Sequence, residues 1–233
     1  MSIMDTTKEA INLLFSGDHD LWSIVAVSFS VSLLSIALVL IPGTLLGFLL
    51  ARFKFFGHTI LLTLVTTLQS VPTVVIGLLL YMLLSRSGPL GDWHWLFTQK
   101  AMIFGQMLIS FPIIVSMSHA VFQNSDQRVW ETAKTLGASN IQALKKLLWE
   151  YRFPLLAAVI FAFSRIITEV GSSMMVGGNL LGSTRNIPTA IALESQKGSF
   201  AQGVALGIVL LILALVLNLV LSIARGKGYL KSN

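Results

Sequence analysis

Five long apolar runs dominate the chain, and each reaches or exceeds the roughly 20 residues that a helix needs to cross a bilayer. A segment inside a bilayer must pair its own backbone N–H and C=O groups, so such runs are read as α-helices. The alternating pattern of a membrane barrel is not present. The sequence therefore predicts an all-α integral membrane protein, one domain over residues 1–233, with about five spans. Their expected bounds are 22–50, 58–84, 101–122, 154–176 and 201–224.

The composition agrees with a membrane location. Hydrophobic residues make up 55% of the 233 residues and charged residues only 11%, whereas a soluble domain carries about 25% charged residues. There is no cysteine, so disulfides and thiolate metal sites are excluded. The first twenty residues carry four acidic side chains against Lys8 alone, unlike the basic start of a cleavable signal peptide. We therefore expect the first apolar run to stay in the protein as a span.

The distribution of lysine and arginine predicts the orientation, because cytoplasmic loops are enriched in both residues. With the N-terminus outside, five spans leave ten basic residues inside and five outside, which favours N-out and C-in. Arg165 falls within a span. The inner residues are Arg52, Lys54, Arg128, Lys134, Lys145, Lys146, Arg152, Arg225, Lys227 and Lys231, and the outer ones are Lys8, Arg86, Lys100, Arg185 and Lys197.

Three prolines lie inside the apolar runs, at Pro42, Pro72 and Pro112. Each removes a backbone hydrogen-bond donor and can kink a helix. Helical bundles tolerate such residues, so any single proline is more simply explained as structural. Three kinks in neighbouring spans would also suit a bundle that rocks between two states.

The polar loop between the third and fourth spans, residues 126–153, predicts two short helices. The first covers 127–136 and ends at Gly137, which can adopt a positive φ. Ser139 is a natural N-cap for the second helix, and Gln142 three residues later completes a capping box. The second helix carries one apolar face. That face consists of Ile141, Leu144, Leu147 and Leu148.

Amphipathicity alone leaves two interpretations of this helix–turn–helix loop open. A short helix with an apolar stripe and a charged rim is typical of a contact with a groove on a partner protein. The same helix could lie on the inner leaflet, where Lys145 and Lys146 would meet anionic lipid.

The segment Glu131-Thr132-Ala133-Lys134-Thr135-Leu136-Gly137 resembles the "EAA" loop of ABC-importer permeases, a Glu-x-Ala-x-x-x-Gly core. The resemblance implies a MetI-like permease fold and a cytoplasmic coupling loop that docks on an ATPase. It departs from the family at Thr132, which replaces the first of two alanines, and at Pro154, which lies later than usual. The expected ATPase-coupling residues are Glu131, Ala133, Gly137, Ile141 and Leu144.

The resemblance also implies the rest of the assembly. We expect two copies of a cytoplasmic ABC ATPase, a second copy of this permease and an extracytoplasmic substrate-binding protein, in the plasma (inner) membrane of a bacterium or archaeon. ATP and Mg²⁺ would be held by the ATPase chain, because this chain has no P-loop, so no cofactor is expected here. Nucleic acid is not an expected partner.

Residues 165–207 carry a narrower resemblance, to the tungstate-type (TupB-like) permeases, relatives of the molybdate and sulfate group. It rests on Arg165-Ile-Ile-Thr-Glu169-Val-Gly, on Met-Met-Val-Gly177-Gly178-Asn179 and on Thr184-Arg185. It implies tungstate as the favoured cargo. Molybdate, sulfate or another solute remain alternatives, as does an ion-coupled secondary carrier without an ATPase, although no paired intramembrane acids or inverted repeats are evident.

Arg165 and Glu169 are four residues apart within the fourth predicted span. Charges at such a depth are costly and usually face the bundle or a water-filled cavity. The two could be a mutually neutralised structural pair. Alternatively, Arg165 could line the pathway and offer positive potential to an anion, with Glu169 holding it in place.

Four residues at the outer end of this span are candidates for the outer face: Gly177, Gly178, Asn179 and Arg185. Glycine-rich backbone can form an anion-binding nest. An ordinary flexible turn explains the same residues, and docking of a binding protein is a third interpretation.

The sequence contains no catalytic or metal-binding motif such as HExxH or GxSxG. Its four histidines are scattered, and its ten acidic residues are dispersed. We therefore predict a transport subunit that is not itself an enzyme.

Overall fold

The computed structural model describes residues 3–229. This part of the chain is helical, with eleven α-helices and one 3-10 turn at Gly91–Trp93. The helices are α1 (Ile3–Phe15), α2 (His19–Arg52), α3 (His58–Leu68), α4 (Thr73–Leu84), α5 (Gln99–Gln123), α6 (Gln127–Thr135), α7 (Asn140–Glu150), α8 (Arg152–Ile167), α9 (Gly171–Gly177), α10 (Ile187–Lys197) and α11 (Phe200–Tyr229). The all-α prediction is confirmed. Lys231 lies outside the described residues, as do the side chains of Arg225 and Lys227.

The helices α2 and α5 pack along each other at the centre of the bundle. Gly43 and Gly47, one turn apart on α2, allow this approach. A Cβ at Gly43 would lie 2.9 Å from Cγ2 of Ile114, and one at Gly47 would lie 2.8 Å from the Cβ of Ser118. The pair therefore has no room between its two backbones for larger side chains.

The second and fourth predicted spans are not continuous helices. Residues 58–84 form α3 and α4, which are bent by 97° relative to each other. Residues 154–176 begin within α8, which ends at Ile167, and resume as α9. Pro72 explains the first interruption, because it cannot donate within a helix and disfavours helical geometry in the residue before it. It serves as the N-cap residue of α4. Pro42 and Pro112, by contrast, lie inside continuous helices.

Three described helices are individually long and apolar enough to cross a membrane: His19–Arg52, Gln99–Gln123 and Phe200–Val220. Two bent pairs pass the same test when each is counted as one segment, which gives up to five spans. One pair is α3 with α4, and the other is α7 with α8, bent by 71°. The number of spans and their orientation remain predictions.

The apolar core runs along the bundle as several connected clusters. The central cluster joins α2, α5 and α8 through residues such as Ile36, Ile114 and Ile166. A second cluster places α1 and α10 against the start of α2 and of α11. The helix α1 was not predicted, because its acidic and polar residues hide the short face that carries the buried Ala10.

Candidate functional site

The loop of residues 126–153 contains α6 and α7, joined by a turn at Gly137. The carboxylate of Asp126 caps α6 by accepting from the backbone N–H of Arg128 at 2.9 Å. Gly137 has a φ of 84°, a conformation that glycine adopts without strain. Ser139 and Gln142 form the reciprocal capping box, with distances of 2.8 and 3.3 Å. The glycine turn and the capping box are those that the sequence predicts, and α7 is also held on the bundle through Leu147.

The exposed surface of this loop is narrower than the predicted contact face. Glu131, Gly137 and Ile141 are exposed, and Ala133 is half-buried. Leu144 instead packs onto an internal cluster built from Phe48, Phe122 and Leu147. Leu144 is half-buried there, because part of the apolar face of α7 holds the loop on the bundle. Its contact with an ATPase stays a prediction. The exposed apolar residues of the loop include Leu136, Ile141 and Trp149.

Arg165 and Glu169 form an ion pair, with Nη1 of Arg165 donating to Oε2 of Glu169 at 2.9 Å. The two side chains differ in exposure: the glutamate is 3% exposed and the arginine 44%. The spacing of four residues predicts that both side chains lie on one face of one helix. Glu169 instead lies two residues past the end of α8. The other carboxylate oxygen of Glu169, Oε1, accepts from the backbone N–H of Ser172 at 3.2 Å and caps α9.

Arg165 shares its exposed face of α8 with polar side chains. Thr168 is exposed and Ser164 half-buried, and both hydroxyls bond back to the carbonyls of their own helix. A charged and hydroxyl-bearing face at this position is unfavourable against lipid.

The break after α8 meets the bend between α3 and α4. A Cβ at Gly171 would lie 2.6 Å from Cγ2 of Val74 and 3.3 Å from the hydroxyl of Thr73. A Cβ at Gly77 would lie 2.8 Å from the Cα of Ser172. The two interrupted helices therefore touch backbone to backbone, close to the Arg165–Glu169 pair.

Polar residues that the sequence pattern did not identify support these interruptions. Gln106 of α5 is buried, and its amide donates to the carbonyl of Ile166 in the last turn of α8 at 3.3 Å. At the other bend, Gln69 donates to the hydroxyl of Ser116 at 2.7 Å. A signal was available, because residues 66–73 concentrate polar side chains and a proline inside an apolar run.

The four outer-face candidates belong to the end of α9 and the loop after it. A Cβ at Gly177 would lie 2.9 Å from the sulfur of Met102, and one at Gly178 would lie 2.7 Å from the ring of Phe97. Arg185 directs Nε and Nη2 to the carbonyl oxygen of Asn179, each at 3.4 Å.

This loop is internally bonded rather than open. The backbone N–H groups of Ser183, Thr184 and Arg185 all donate to the carbonyl of Leu180. The hydroxyl of Thr184 donates to the carbonyl of Gly177 and accepts from the N–H of Leu180. These N–H groups are not available to an anion, so the geometry favours a rigid turn over an anion-binding nest.

The loop of α6 and α7 and the outer-face candidates lie at opposite ends of the bundle. The loop of α6 and α7 packs at the carboxyl end of α5, near Phe122. Gly177 and Gly178 lie at its amino end, near Met102. The 25 residues of α5 separate the two ends by about 36 Å. Within residues 3–229, no group of three His, Asp or Glu side chains is arranged to hold a metal ion.

Residues 43–226 match the model of the family described as binding-protein-dependent transport system inner membrane component. The match covers most of the chain, so the chain belongs to this family. It is an ABC-importer permease by family, and the predicted resemblance is confirmed.

Individual relatives agree with this assignment. The chain is 39% identical, over 88% of its length and 85% of the relative, to the tungstate uptake system permease protein TupB of Campylobacter jejuni. It is 36% identical to a probable anion ABC transporter permease of Haloferax volcanii, over 79% of this chain and 82% of the relative. It is 30% identical to the sulfate transport system permease CysW of Escherichia coli K12, over 81% of this chain and 69% of the relative.

The fold also matches a solved structure of the MetNI methionine ABC transporter in an inward-facing conformation. The TM-score is 0.63 at 17% identity, and the match covers 97% of this chain and 99% of the other. The prediction of a MetI-like permease fold is confirmed by this likeness.

Proposed function

We propose that this chain is the translocating subunit of an oxyanion importer, with tungstate as the favoured cargo, and that Arg165 lines its pathway. The observation that carries the proposal is the half-exposed guanidinium of Arg165, in the last turn of α8 and beside two helix interruptions. Interrupted helices are typical of transport sites near the bilayer midplane.

The burial of the ion pair supports a role for the arginine beyond mutual neutralisation. A purely structural pair would bury both partners, whereas here only Glu169 is enclosed. An arginine facing lipid costs about 3 kcal/mol on insertion scales and more in simulations. The exposed edge of Arg165 is therefore better matched to a water-filled pathway or to a second copy of the chain.

The pairing with Glu169 suits a pathway that must release its cargo. A free arginine would hold a divalent oxyanion tightly, and tight binding slows transport. One nitrogen of Arg165 is already engaged by Glu169. The remaining N–H groups can contact an anion in passing, while the carboxylate limits the net positive charge at this point.

The helix–turn–helix loop provides a mechanical connection to the pathway. Tyr151 is at once the C-cap of α7 and the residue before α8, so the two helices share one residue. Leu147 anchors α7 to α2 and α5 through Phe48 and Phe122. A movement of the loop would be passed directly to α8, which carries Arg165 at its far end. We assign the contact with an ATPase to the exposed Glu131, Gly137 and Ile141, with Ala133 supporting the turn.

The rest of the assembly follows the family. We infer a pair of permeases, two ATPase subunits that hydrolyse ATP in a separate chain, and an extracytoplasmic binding protein that meets the rigid loop at Gly177–Arg185. We place the N-terminus outside and the C-terminus inside a bacterial or archaeal plasma membrane, from the distribution of basic residues. ATP binding and hydrolysis would drive alternating access.

The cargo is inferred from relatives. Permeases named for tungstate and for sulfate both resemble this chain. Both anions are tetrahedral and carry two negative charges, so a single arginine in a pathway would serve either. Tungstate is favoured by the higher identity of the tungstate permease, and molybdate and sulfate are the alternatives.

The cargo is tested by uptake in cells lacking the gene and in cells with the gene restored, at low external tungstate or molybdate. We expect energy-dependent uptake to disappear on deletion and to return on complementation. Unchanged uptake in a strain without a redundant system would reject the oxyanion assignment.

The role of Arg165 is tested in the same strain. Arg165→Gln should reduce uptake at least tenfold, because about 1.4 kcal/mol of lost stabilisation already corresponds to a factor of ten. Arg165→Lys should retain part of the activity. Arg86→Gln, which removes an exposed arginine from the outer loop, is the matched control and should transport normally. Normal uptake by Arg165→Gln, at normal protein level, would refute the pathway role.

A further inference from the structure

A groove of about 350 Å³ runs along the outside of the bundle between α2, α7 and α8. Its walls are almost entirely apolar. They include Leu40, Ile41, Thr44 and Phe48 of α2 and Leu156 of α8, with Arg152 at one end. Ile41 and Leu156 are exposed in the isolated chain, so the groove opens on the outer surface of the bundle.

Arg152 is held at the end of this groove by aromatic rings. Its guanidinium carbon lies 4.5 Å from the ring centre of Trp149 and 4.6 Å from that of Phe153. Its Nη1 donates to the carbonyl of Trp149. Among residues with described side chains, no carboxylate lies within ion-pair distance of it. The arginine therefore keeps a fixed position and an uncompensated positive charge.

The groove has a charged end at Arg152, and the rest of its length is apolar. Tryptophan and arginine at the end of a membrane helix favour the headgroup level. From Phe48 to Leu40, the groove extends along eight residues of α2, or about 12 Å towards the membrane interior. This length and polarity fit a phosphate at Arg152 and an acyl chain below it.

We propose that the groove binds an anionic phospholipid, with its phosphate on Arg152 and one acyl chain between α2, α7 and α8. The charge of Arg152 selects an anionic headgroup over a neutral one. The assignment to the cytoplasmic leaflet rests on the orientation proposed above, whereas the binding itself does not.

A bound lipid would join the helix–turn–helix loop to the transmembrane helices. Leu144 and Leu148 of α7 form one wall of the groove, and Leu155 and Val159 of α8 form another. An acyl chain between them completes the packing that the protein alone leaves open. It would resist separation of α7 from α2 at the place where the loop is anchored.

The experiment measures phosphatidylglycerol and phosphatidylcholine bound to the purified chain by native mass spectrometry, first as lipid retained from the membrane and then by titration. Wild-type protein should bind phosphatidylglycerol more tightly than phosphatidylcholine. Arg152→Gln should weaken phosphatidylglycerol binding by roughly tenfold, because a charge-assisted phosphate contact is lost. Thr44→Phe, which keeps the charge and fills the groove, should weaken the binding of both lipids.

Arg128→Gln is the matched control, because it removes an exposed arginine of α6 that does not line the groove. It should bind lipid as the wild type does. Equal affinity for the two lipids in the wild type, or unchanged binding in both groove variants, would overturn the proposal. Since the chain has no cysteine, Ile41→Cys supplies a unique thiol. An efficient disulfide between two copies at this position would assign the groove to a second copy and also overturn the lipid.

Discussion

The helix interruption at Gly137 and the one at residues 168–170 both carry candidate functional residues, yet they are held in different ways. A Cβ at Gly137 would meet no atom within 4 Å, and the turn is fixed by caps within a few residues. Gly171 and Gly77, by contrast, are in close contact with neighbouring helices. The turn at Gly137 is therefore formed locally, although α7 after it is anchored to the bundle through Leu147. The second interruption exists only because the helices around it fit together.

This difference predicts how each region responds to added volume. The same substitution should be severe at the interior break, where it displaces a backbone, and mild at the surface turn, where it strains only one φ angle. For the first variant of each comparison, the expected loss of stability falls from Gly77 through Glu169 and Gly137 to Ser139.

Gly77→Val should give the largest loss of stability. Its Cβ would lie 2.8 Å from the Cα of Ser172 and 3.0 Å from the Cβ of Met175, so α4 and α9 must separate. We expect the free energy of unfolding to fall by about 3 kcal/mol, as for severe overpacking. The measurement is unfolding in detergent, followed by tryptophan fluorescence.

The control for Gly77→Val is Gly207→Val, in α11. A Cβ at Gly207 would meet nothing within 4 Å, so this variant has the same helix propensity change without the clash. Equal losses in the two variants would mean that the contact between α4 and α9 is not tight.

Glu169→Leu should have the next largest effect. It leaves Arg165 without a partner and removes the cap of Ser172. Breaking a buried pair costs about 3–5 kcal/mol, and the 44% exposure of Arg165 reduces our expectation to about 2 kcal/mol. Unfolding of this variant, of Arg165→Gln and of the double variant forms a thermodynamic cycle. A coupling near zero would show that the pair is not formed in the membrane.

Gly137→Val should cost about 1–2 kcal/mol, because the positive φ is strained for a residue with a Cβ. Gly57→Val is matched to it: Gly57 has a φ of 89° and equally open surroundings, but lies between α2 and α3. We expect similar stability in both variants. Uptake, however, should fall only in Gly137→Val if the turn docks on an ATPase. Normal uptake and normal ATPase stimulation in Gly137→Val would argue against coupling through this loop.

The two capping boxes give the finest comparison. Ser139 caps α7 on the surface, while Asn186 caps α10 and is buried. Ser139→Ala should cost about 0.5–1 kcal/mol, because water can replace the lost bond. Asn186→Ala should cost about 2 kcal/mol, since it leaves the buried N–H of Thr189 unpaired. Equal costs, measured by unfolding, would show that burial does not separate the two caps.

The sequence predicts the surface loop well, because the residues that shape this loop act on nearby backbone groups. Asp126, Gly137, Ser139 and Gln142 act on backbone groups within three residues of themselves. It does not predict that Leu144 is half-buried against Phe48 and Phe122, because those two residues lie outside the loop. Hydrophobic periodicity identifies an apolar face but not the surface that covers it.

The ion pair of Arg165 and Glu169 shows a similar limit. The spacing predicts proximity on one helix, but α8 ends at Ile167. The contact forms nevertheless, because Glu169 turns back at the end of α8 while capping the next helix. Sequence spacing found the right partners, whereas the geometry of the pair depends on the helix ending there.

The sequence by itself determined the membrane class, the family resemblance and the helix–turn–helix loop, because length, hydropathy and capping act over short stretches of chain. Only the tertiary structure decided where two of the apolar runs break and that the breaks meet at Gly171 and Val74. Whether an apolar segment continues as a helix depends on which neighbours can bond its freed backbone groups. The amide of Gln106 does so for Ile166 across 60 residues of sequence, a distance over which local patterns carry no information.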